Sequence, residues 1–106
     1  MKIKEITEEE IIFTNGKSIS YTNLEWYADN YPDFQQLDDL GRDYDFEEDL
    51  KFEKVDDCGF MFGDERRMFF IPCYSKQNGY YSSEVDIYYG NELVLTVDGE
   101  ITSDYS

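Results

Sequence analysis

The alternation of apolar and polar positions in the second half of the chain predicts a strand, a tight turn and a second strand. Residues 68–74 form the most apolar run, and Asn78 and Gly79, a pair typical of hairpin turns, follow shortly after it. The next segment alternates with period two, so that Val85 and Ile87 are expected to face a core. The pattern therefore predicts an antiparallel pair closed at the Asn-Gly turn.

The first part of the chain repeats this signal. Residues 2–6 indicate a short first strand, and Asn15-Gly16 lies between two further alternating segments, which predicts a second hairpin. The apolar side chains of this hairpin that are expected to face inward are Ile11, Phe13, Ile19 and Tyr21.

The period then changes to that of a helix. Thr22 and Glu25 fit a capping box at a helix start, and Pro32 is expected to end or kink the helix. One helical face would be formed by Leu24, Tyr27, Ala28 and Tyr31. A further turn or two is expected before Gly41, with apolar positions at Phe34, Leu37 and Leu40.

The rest of the chain indicates more strands. Residues 42–49 read as an acidic loop, residues 50–55 and 60–62 as strands, and residues 63–65 as a turn. Gly90-Asn91 predicts another turn, and the closing strand alternates at Leu93, Leu95 and Val97. The expected architecture of residues 1–106, taken as a single domain, is α+β. It is an antiparallel, mainly meandering sheet of about five to seven strands with one helical segment packed on it.

The strongly negative net charge of the chain indicates which classes of partner it can bind. The chain has 25 acidic and 9 basic residues, a net charge of −16 and no histidine. Such a protein repels nucleic acid and anionic membranes, and it favours basic protein partners. The pair Arg66 and Arg67 is expected to be satisfied by Asp64 and Glu65. We expect no direct binding to nucleic acid or membrane. The lack of an apolar leader or a span of roughly 20 apolar residues favours a cytoplasmic protein.

The sequence contains few candidate catalytic or metal-binding residues. Without histidine, the usual general base and the commonest metal ligand are missing. Cys58 and Cys73 lack the basic neighbour that activates a thiol, although a bridge between them stays open as an alternative. Asp43, Asp45 and Glu47 have calcium-loop spacing without the turn glycine and distal glutamate. We expect no enzyme activity, no cofactor and no metal site, with a metal-dependent enzyme as a remote alternative.

The acids carry more information than any motif. Those proposed to contact a partner lie between residues 25 and 49, and they are Glu25, Asp29, Asp33, Asp38, Asp39, Asp43, Asp45, Glu47, Glu48 and Asp49. Their spacings are similar to those of successive phosphates along a nucleic-acid strand. Two interpretations stay open: a mimic of nucleic acid, or a solvated acidic face. Tyr80 and Tyr88 are added as aromatic contacts, against ordinary sheet propensity.

Two stretches support a resemblance. They are residues 3–6 with the Asn15-Gly16 hairpin, and residues 72–74 followed by residues 77–83. Together they resemble small acidic proteins encoded by phages and mobile elements of Gram-positive bacteria. Some small acidic proteins from such elements are anti-CRISPR or other anti-defence inhibitors, so the resemblance implies a counter-defence role. It carries over no active site.

These observations give one expected function and one alternative. The first is an anti-CRISPR protein that binds an RNA-guided nuclease and blocks its basic nucleic-acid channel by acidic occupation, as a DNA mimic. The partner could also be another nucleic-acid-binding defence protein. The alternative is a small acidic structural or regulatory phage protein with no inhibitory role.

Overall fold

The chain forms two β-sheets that pack against each other in the computed structural model, which describes residues 1–23, 30–75 and 84–101. The strands in these ranges are β1 (Ile3–Ile6), β2 (Glu10–Phe13), β3 (Ser18–Asn23), β4 (Asn30–Pro32), β5 (Lys51–Val55), β6 (Gly59–Gly63), β7 (Met68–Ser75), β8 (Glu84–Tyr89), β9 (Glu92–Asp98) and β10 (Glu100–Ile101). Between β4 and β5 lie a 3-10 turn at Phe34–Gln36 and a short helix, α1, at Asp39–Arg42.

The first sheet has the strand order β1-β2-β3-β8-β9, with every neighbouring pair antiparallel. The β2–β3 hairpin closes at Asn15-Gly16, where Gly16 has a φ of +86°, a conformation that a residue without Cβ adopts readily. Ile11 lies opposite Ile19 across this pair, and both side chains are buried. The predicted first hairpin and its inward face are therefore confirmed.

The second sheet has the order β10-β7-β6-β5, and β4 also pairs with β7. Strands β5, β6 and β7 form an antiparallel meander, β4 is antiparallel to β7, and β10 is parallel to it. The strands predicted over residues 50–55 and 60–62 are confirmed as β5 and β6. The turn predicted after Gly63 is also confirmed, because the Asp64 backbone N–H donates to the Arg67 carbonyl at 3.0 Å.

Aromatic side chains join the two sheets. The ring of Phe13, on β2 of the first sheet, lies 6.3 Å from the ring of Phe62, on β6 of the second. The ring of Phe46, in the α1–β5 connection, lies 5.8 Å from Phe13 and 5.5 Å from Phe62. Pairs in such edge or tilted geometries add about 0.5–1.5 kcal/mol each beyond their burial. The core is thus shared by both sheets and by the segment that leads into β5.

The fold is mostly β, and the expected α+β architecture is confirmed only in part. Neighbouring strands are antiparallel as expected, except for β10 on β7, but they form two sheets instead of one. In the described residues the helical part is limited to α1 and one 3-10 turn, so the class is mainly β and not α+β.

Thr22, predicted as a helix cap, pairs with Asp86 inside the first sheet, and Tyr31 and Pro32 belong to β4. The helix was predicted from the spacing of aromatic residues. Aromatic residues also favour strands, and in this segment the pairing of β4 with β7 determines the secondary structure. The middle of the predicted helix, residues 24–29, lies outside the described residues. Gly41, the predicted stop, lies within α1.

The predicted pairing of β7 with β8 is also wrong over their described residues. Strand β8 has β3 on one edge and β9 on the other, whereas β7 pairs with strands of the second sheet. A turn dipeptide indicates a change of direction and does not fix the partner of each strand. The Asn78-Gly79 pair itself lies outside the described residues.

The β8–β9 hairpin closes at Gly90-Asn91 as predicted, and Val85 and Ile87 are buried as predicted. The expected alternation along β9 fails at one end. The register shifts between Ile87 and Tyr88, so that Tyr88 lies opposite Leu93 and one residue of β9 is unpaired. Leu93 is therefore turned outward and is 50% exposed.

Candidate functional site

The acidic loop, defined here as residues 43–49, follows α1 and has no regular secondary structure. The loop predicted over residues 42–49 is confirmed except at Arg42, which belongs to α1. Its side chains alternate between solvent and core. Asp43, Asp45 and Glu47 are exposed, whereas Tyr44 is half-buried and Phe46 is buried. From Asp43 to Glu47 the loop thus presents carboxylates at every second position, and Glu48 and Asp49 are exposed as well.

Phe46 fixes the middle of this loop. Its ring lies 4.7 Å from the ring of Tyr44 and 5.6 Å from that of Phe69. Its backbone also exchanges two hydrogen bonds with Met1: the Phe46 N–H donates to the Met1 carbonyl at 2.7 Å, and the Met1 amino group donates to the Phe46 carbonyl at 2.6 Å. Burial and backbone pairing together hold the middle of the loop against the core.

Asp64, at the β6–β7 turn, fixes the loop from the other side. Its side chain is buried, with 1% of the residue exposed. Its Oδ1 accepts from the Tyr44 hydroxyl at 3.0 Å and from the backbone N–H groups of Arg66 and Arg67 at 2.9 and 3.1 Å. Its Oδ2 accepts from the Glu47 backbone N–H at 3.1 Å and from Arg66 Nη2 at 3.0 Å. All five partners are donors, which suits an ionised carboxylate.

The protonation states of this cluster follow from the same contacts. Burial alone would raise the pKa of Asp64, but the hydrogen bonds from Glu47, Arg66 and Tyr44 hold it well below its usual value. The pKa of Tyr44 is raised, first by burial and then by its hydrogen bond to the Asp64 carboxylate. Asp64 is therefore an anion at neutral pH and a structural acceptor that ties the loop to the turn.

The loop carboxylates are only partly neutralised. Asp45 Oδ1 accepts from the Met1 amino group at 3.0 Å, a hydrogen bond that lowers the pKa of Asp45. Glu47 lies 3.8 Å from Arg66 Nε, with both side chains about half exposed. Asp43, Glu48 and Asp49 form no ion pair with any cation in the described part of the chain. Such exposed pairs contribute little, so the loop keeps a strongly negative surface.

Three other predicted site acids precede the loop and have local structural roles. Asp38 caps α1, because its Oδ1 accepts from the Leu40 N–H at 2.9 Å. Asp39 lies 3.8 Å from Arg42 Nε, and Asp33 accepts from a Gln36 side-chain N–H at 2.8 Å. Asp38 and Asp39 remain exposed, whereas Asp33 is half-buried.

Of the remaining predicted contact residues, only Tyr88 lies in the described part of the chain. Tyr88 is half-buried in β8, opposite Ser20 of β3 and Leu93 of β9. Glu25, Asp29 and Tyr80 lie outside the described residues. The described part of the predicted site that is contiguous in sequence is therefore residues 38–49, and these residues are called the acidic surface below.

Asp64 holds this surface in place, and this role was not predicted from the sequence. The only partner predicted for Asp64 was an arginine. The Asp64–Arg66 ion pair is confirmed, but the Arg67 guanidinium lies over the Phe69 ring at 5.1 Å, and Glu65 pairs with Lys51 at 3.5 Å. An aspartate that opens a turn often accepts backbone N–H groups two and three residues on, and this was the available signal.

The cysteines do not supply a site. Cys58 is exposed, Cys73 is buried, and both are free thiols. Their backbones meet, since the Cys73 N–H donates to the Cys58 carbonyl at 2.8 Å. Burial raises the pKa of the Cys73 thiol to about 12, so that it stays protonated and unreactive at neutral pH. The bridge left open as an alternative is not formed.

The described ranges contain neither a metal-ligand cluster nor a membrane-spanning helix. Across residues 1–23, 30–75 and 84–101, no group of three or more metal-ligating side chains could hold a metal ion. Nor does this part of the chain contain a helix with the length and apolar character needed to cross a membrane. What the arrangement offers is an ordered array of carboxylates, which can attract and orient cationic groups.

Fold and site together define a mostly β protein with an anchored acidic surface. Comparison of the chain with protein-family models, with curated proteins and with solved structures finds no match. The function must therefore be inferred from the residues of this chain and from the resemblance described above.

Proposed function

We propose that the chain is an anti-defence inhibitor of a phage or mobile element that acts as a DNA mimic. Its acidic surface, residues 38–49, would occupy the basic nucleic-acid channel of an RNA-guided CRISPR nuclease, with no bond made or broken. The observation that carries the proposal is the set of exposed carboxylates on a loop that Phe46 and Asp64 hold in place. The choice of a CRISPR effector comes from the resemblance to phage and mobile-element proteins.

Local charge supports a basic partner. Residues 38–49 contain seven acidic side chains and one basic side chain, Arg42. The exposed acids at positions 43, 45 and 47 are two residues apart in sequence, and Glu48 and Asp49 follow them directly. A channel lined by arginine and lysine for a nucleic-acid backbone would present complementary charges.

Order in the loop supports recognition over simple solubility. Acids that only keep a protein soluble can lie on a chain of any conformation, whereas a mimic needs them at fixed places. Here the Glu47 N–H is held by Asp64 and the Phe46 ring lies in the core, so the backbone between Asp43 and Asp49 is held at its centre. A loop that is ordered before binding loses less conformational entropy when it binds.

The test compares two matched variants in a DNA-cleavage assay. In the first, Asp43→Asn, Glu47→Gln, Glu48→Gln and Asp49→Asn remove four loop charges and leave Asp45 and its anchoring contact intact. In the second, Glu5→Gln, Glu8→Gln, Glu9→Gln and Glu100→Gln remove four exposed charges elsewhere. Each set changes the net charge from −16 to −12. Both are titrated, with the wild type, into a panel of guide-loaded CRISPR effector nucleases.

We expect the wild type to inhibit at least one effector in competition with target DNA. The loop set should weaken inhibition by more than tenfold, because close interfacial charge pairs contribute about 1.5 kcal/mol or more each. The second set should have a smaller effect. Equal losses from both sets would mean that only total charge matters, and an uninhibited panel would contradict the anti-CRISPR assignment and favour a structural or regulatory phage protein.

A further inference from the structure

A groove lies beside the acidic loop, where its end meets the edge strands of the two sheets. The groove has a volume of about 440 Å³ and is open to solvent. Its apolar side chains come from β5 and β9 and from the residue that precedes β5, namely Leu50, Phe52, Leu93 and Val94. Ligand sites in proteins commonly have volumes of roughly 300–1,000 Å³. The groove is therefore large enough for one long side chain of a partner.

The charged lining of the groove is mainly acidic. Glu48 and Asp49 contribute from the acidic loop, and Glu92 contributes from the start of β9. All three are exposed, and none forms an ion pair with a cation of the described residues. An incoming cation would thus meet carboxylates that no charged partner within this part of the chain already neutralises.

The aromatic wall of the groove already holds one cation. The Lys17 ammonium lies 5.4 Å from the centre of the Tyr89 ring, and both residues line the groove. Lys17 is exposed and forms no ion pair with a carboxylate among the described residues, so its ammonium adds one positive charge to a lining with three carboxylates. The Phe52 ring lies 5.9 Å from that of Tyr89 and extends the aromatic wall. Aromatic rings of this kind attract cationic side chains.

We propose that this groove binds an arginine side chain of the basic partner. The apolar side chains of the lining fit the three methylene groups of arginine, and the carboxylates of Glu48, Asp49 and Glu92 match its charge and its fork of N–H donors. Because Lys17 covers the Tyr89 ring, the aromatic surface for the flat guanidinium is the neighbouring Phe52 ring. A second copy of this chain is a poor occupant, because two molecules of charge −16 repel each other. The nature of the partner rests on the proposed function, but arginine binding can be tested without it.

The experiment is an NMR titration of the protein with N-acetyl-arginine-N-methylamide. Two analogues serve as probes of chemistry: the citrulline compound, which has nearly the same shape without the charge, and the lysine compound. The groove variant is Glu48→Gln, Asp49→Asn and Glu92→Gln together. Its control, Glu5→Gln, Glu8→Gln and Glu9→Gln, removes the same charge from exposed positions outside the groove lining. The amide spectrum verifies that each variant is folded.

We expect saturable shifts at the amides of Leu50, Phe52, Leu93 and Val94, with a dissociation constant on the order of 1 mM, as suits a single side chain. The groove variant should bind at least tenfold more weakly, the control should bind within about twofold of wild type, and the citrulline compound should not saturate. Equal weakening in both variants, saturation by citrulline, or lysine binding as tight as arginine binding would overturn the proposal.

The outcome separates this inference from the proposed function. Arginine binding in the groove without inhibition of any nuclease would support the groove and contradict the anti-CRISPR role. Inhibition that persists when the groove binds no arginine would support the acidic surface and overturn the groove.

Discussion

Replacing the buried carboxylate of Asp64 by an amide should destabilise the protein far more than its single charge suggests. In Asp64→Asn the side-chain shape is kept, but one acceptor oxygen becomes an N–H donor. The amide retains most contacts if its oxygen stays with the three donors now on Oδ1. Its nitrogen then faces the Glu47 N–H and the Arg66 guanidinium, so two hydrogen bonds to a charged acceptor are lost.

The expected loss in the free energy of unfolding follows from those two hydrogen bonds. A hydrogen bond to a charged group contributes about 1.5–3 kcal/mol, so we expect the free energy of unfolding to fall by about 3–6 kcal/mol. That is a large part of the roughly 5–15 kcal/mol typical of a whole domain. The midpoint of thermal unfolding should fall by on the order of 10 °C or more, since 1 kcal/mol corresponds to about 4–8 °C in a domain of similar size.

The assay is urea unfolding at constant ionic strength, with Glu65→Gln as the control. Glu65 is the next residue, its side chain is 76% exposed, and its contact with Lys51 at 3.5 Å is on the surface. Both variants remove one negative charge, yet the control should stay within about 1 kcal/mol of wild type. Equal losses in the two variants would refute the view that the Asp64 hydrogen bonds hold the loop.

The pH dependence of the stability difference between wild type and Asp64→Asn tests the same role of the Asp64 carboxylate. The pKa of Asp64 is lowered in the folded state, so its stabilisation is present in full above the unfolded pKa of about 3.9. It is lost as the pH falls below that value toward the folded pKa. The difference in stability between wild type and Asp64→Asn should therefore be constant from about pH 8 to pH 5 and should narrow below about pH 4. A difference that narrows near neutral pH would contradict this.

Three further predictions use other parts of the molecule. Native protein should react with a thiol reagent at pH 8 through Cys58 alone, and through Cys73 as well only after unfolding; two fast thiols in the native state would be inconsistent with the burial of Cys73. Gly63→Ala should lower stability by about 1–3 kcal/mol in urea, because its Cβ would lie 2.1 Å from the Arg67 carbonyl oxygen; an unchanged midpoint would contradict that close contact. Raising the salt concentration from about 10 to 150 mM should raise the thermal midpoint, since it screens a net charge of −16, and a lower midpoint would show that self-repulsion does not dominate the response to salt.

Local patterns predicted the turns well and the partners of the strands poorly. Asn15-Gly16 and Gly90-Asn91 each join strands that are adjacent in sequence, so turn chemistry and period-two alternation were sufficient there. The pairing of β8 with β3 joins residues more than sixty positions apart, and no local pattern encodes it. The predicted helix failed at Tyr31 because this residue pairs with Tyr74 of β7, which is also distant in sequence.

The candidate site was likewise predicted in its local features and not in its long-range contacts. Its acids could be found by counting charges, and the loop character of residues 43–49 was predicted from their high content of acidic residues. What sequence could not give is which side chains fix that loop. Phe46 and Asp64 do so through contacts with β2, β6 and the β6–β7 turn, which exist only once both sheets have formed.

This dependence on Asp64 leads to a last prediction about binding. Asp64 is buried and cannot touch a partner, yet Asp64→Asn frees the Glu47 N–H and so loosens the acidic loop. If the proposed function is right and the fixed positions of the carboxylates matter, the proposed inhibition of a nuclease should weaken in Asp64→Asn at temperatures where the variant is still folded. Glu65→Gln, with the same net charge, should inhibit like the wild type. If both variants kept full inhibition, the acids would act through their total charge, because a mimic with defined geometry requires the loop to be held.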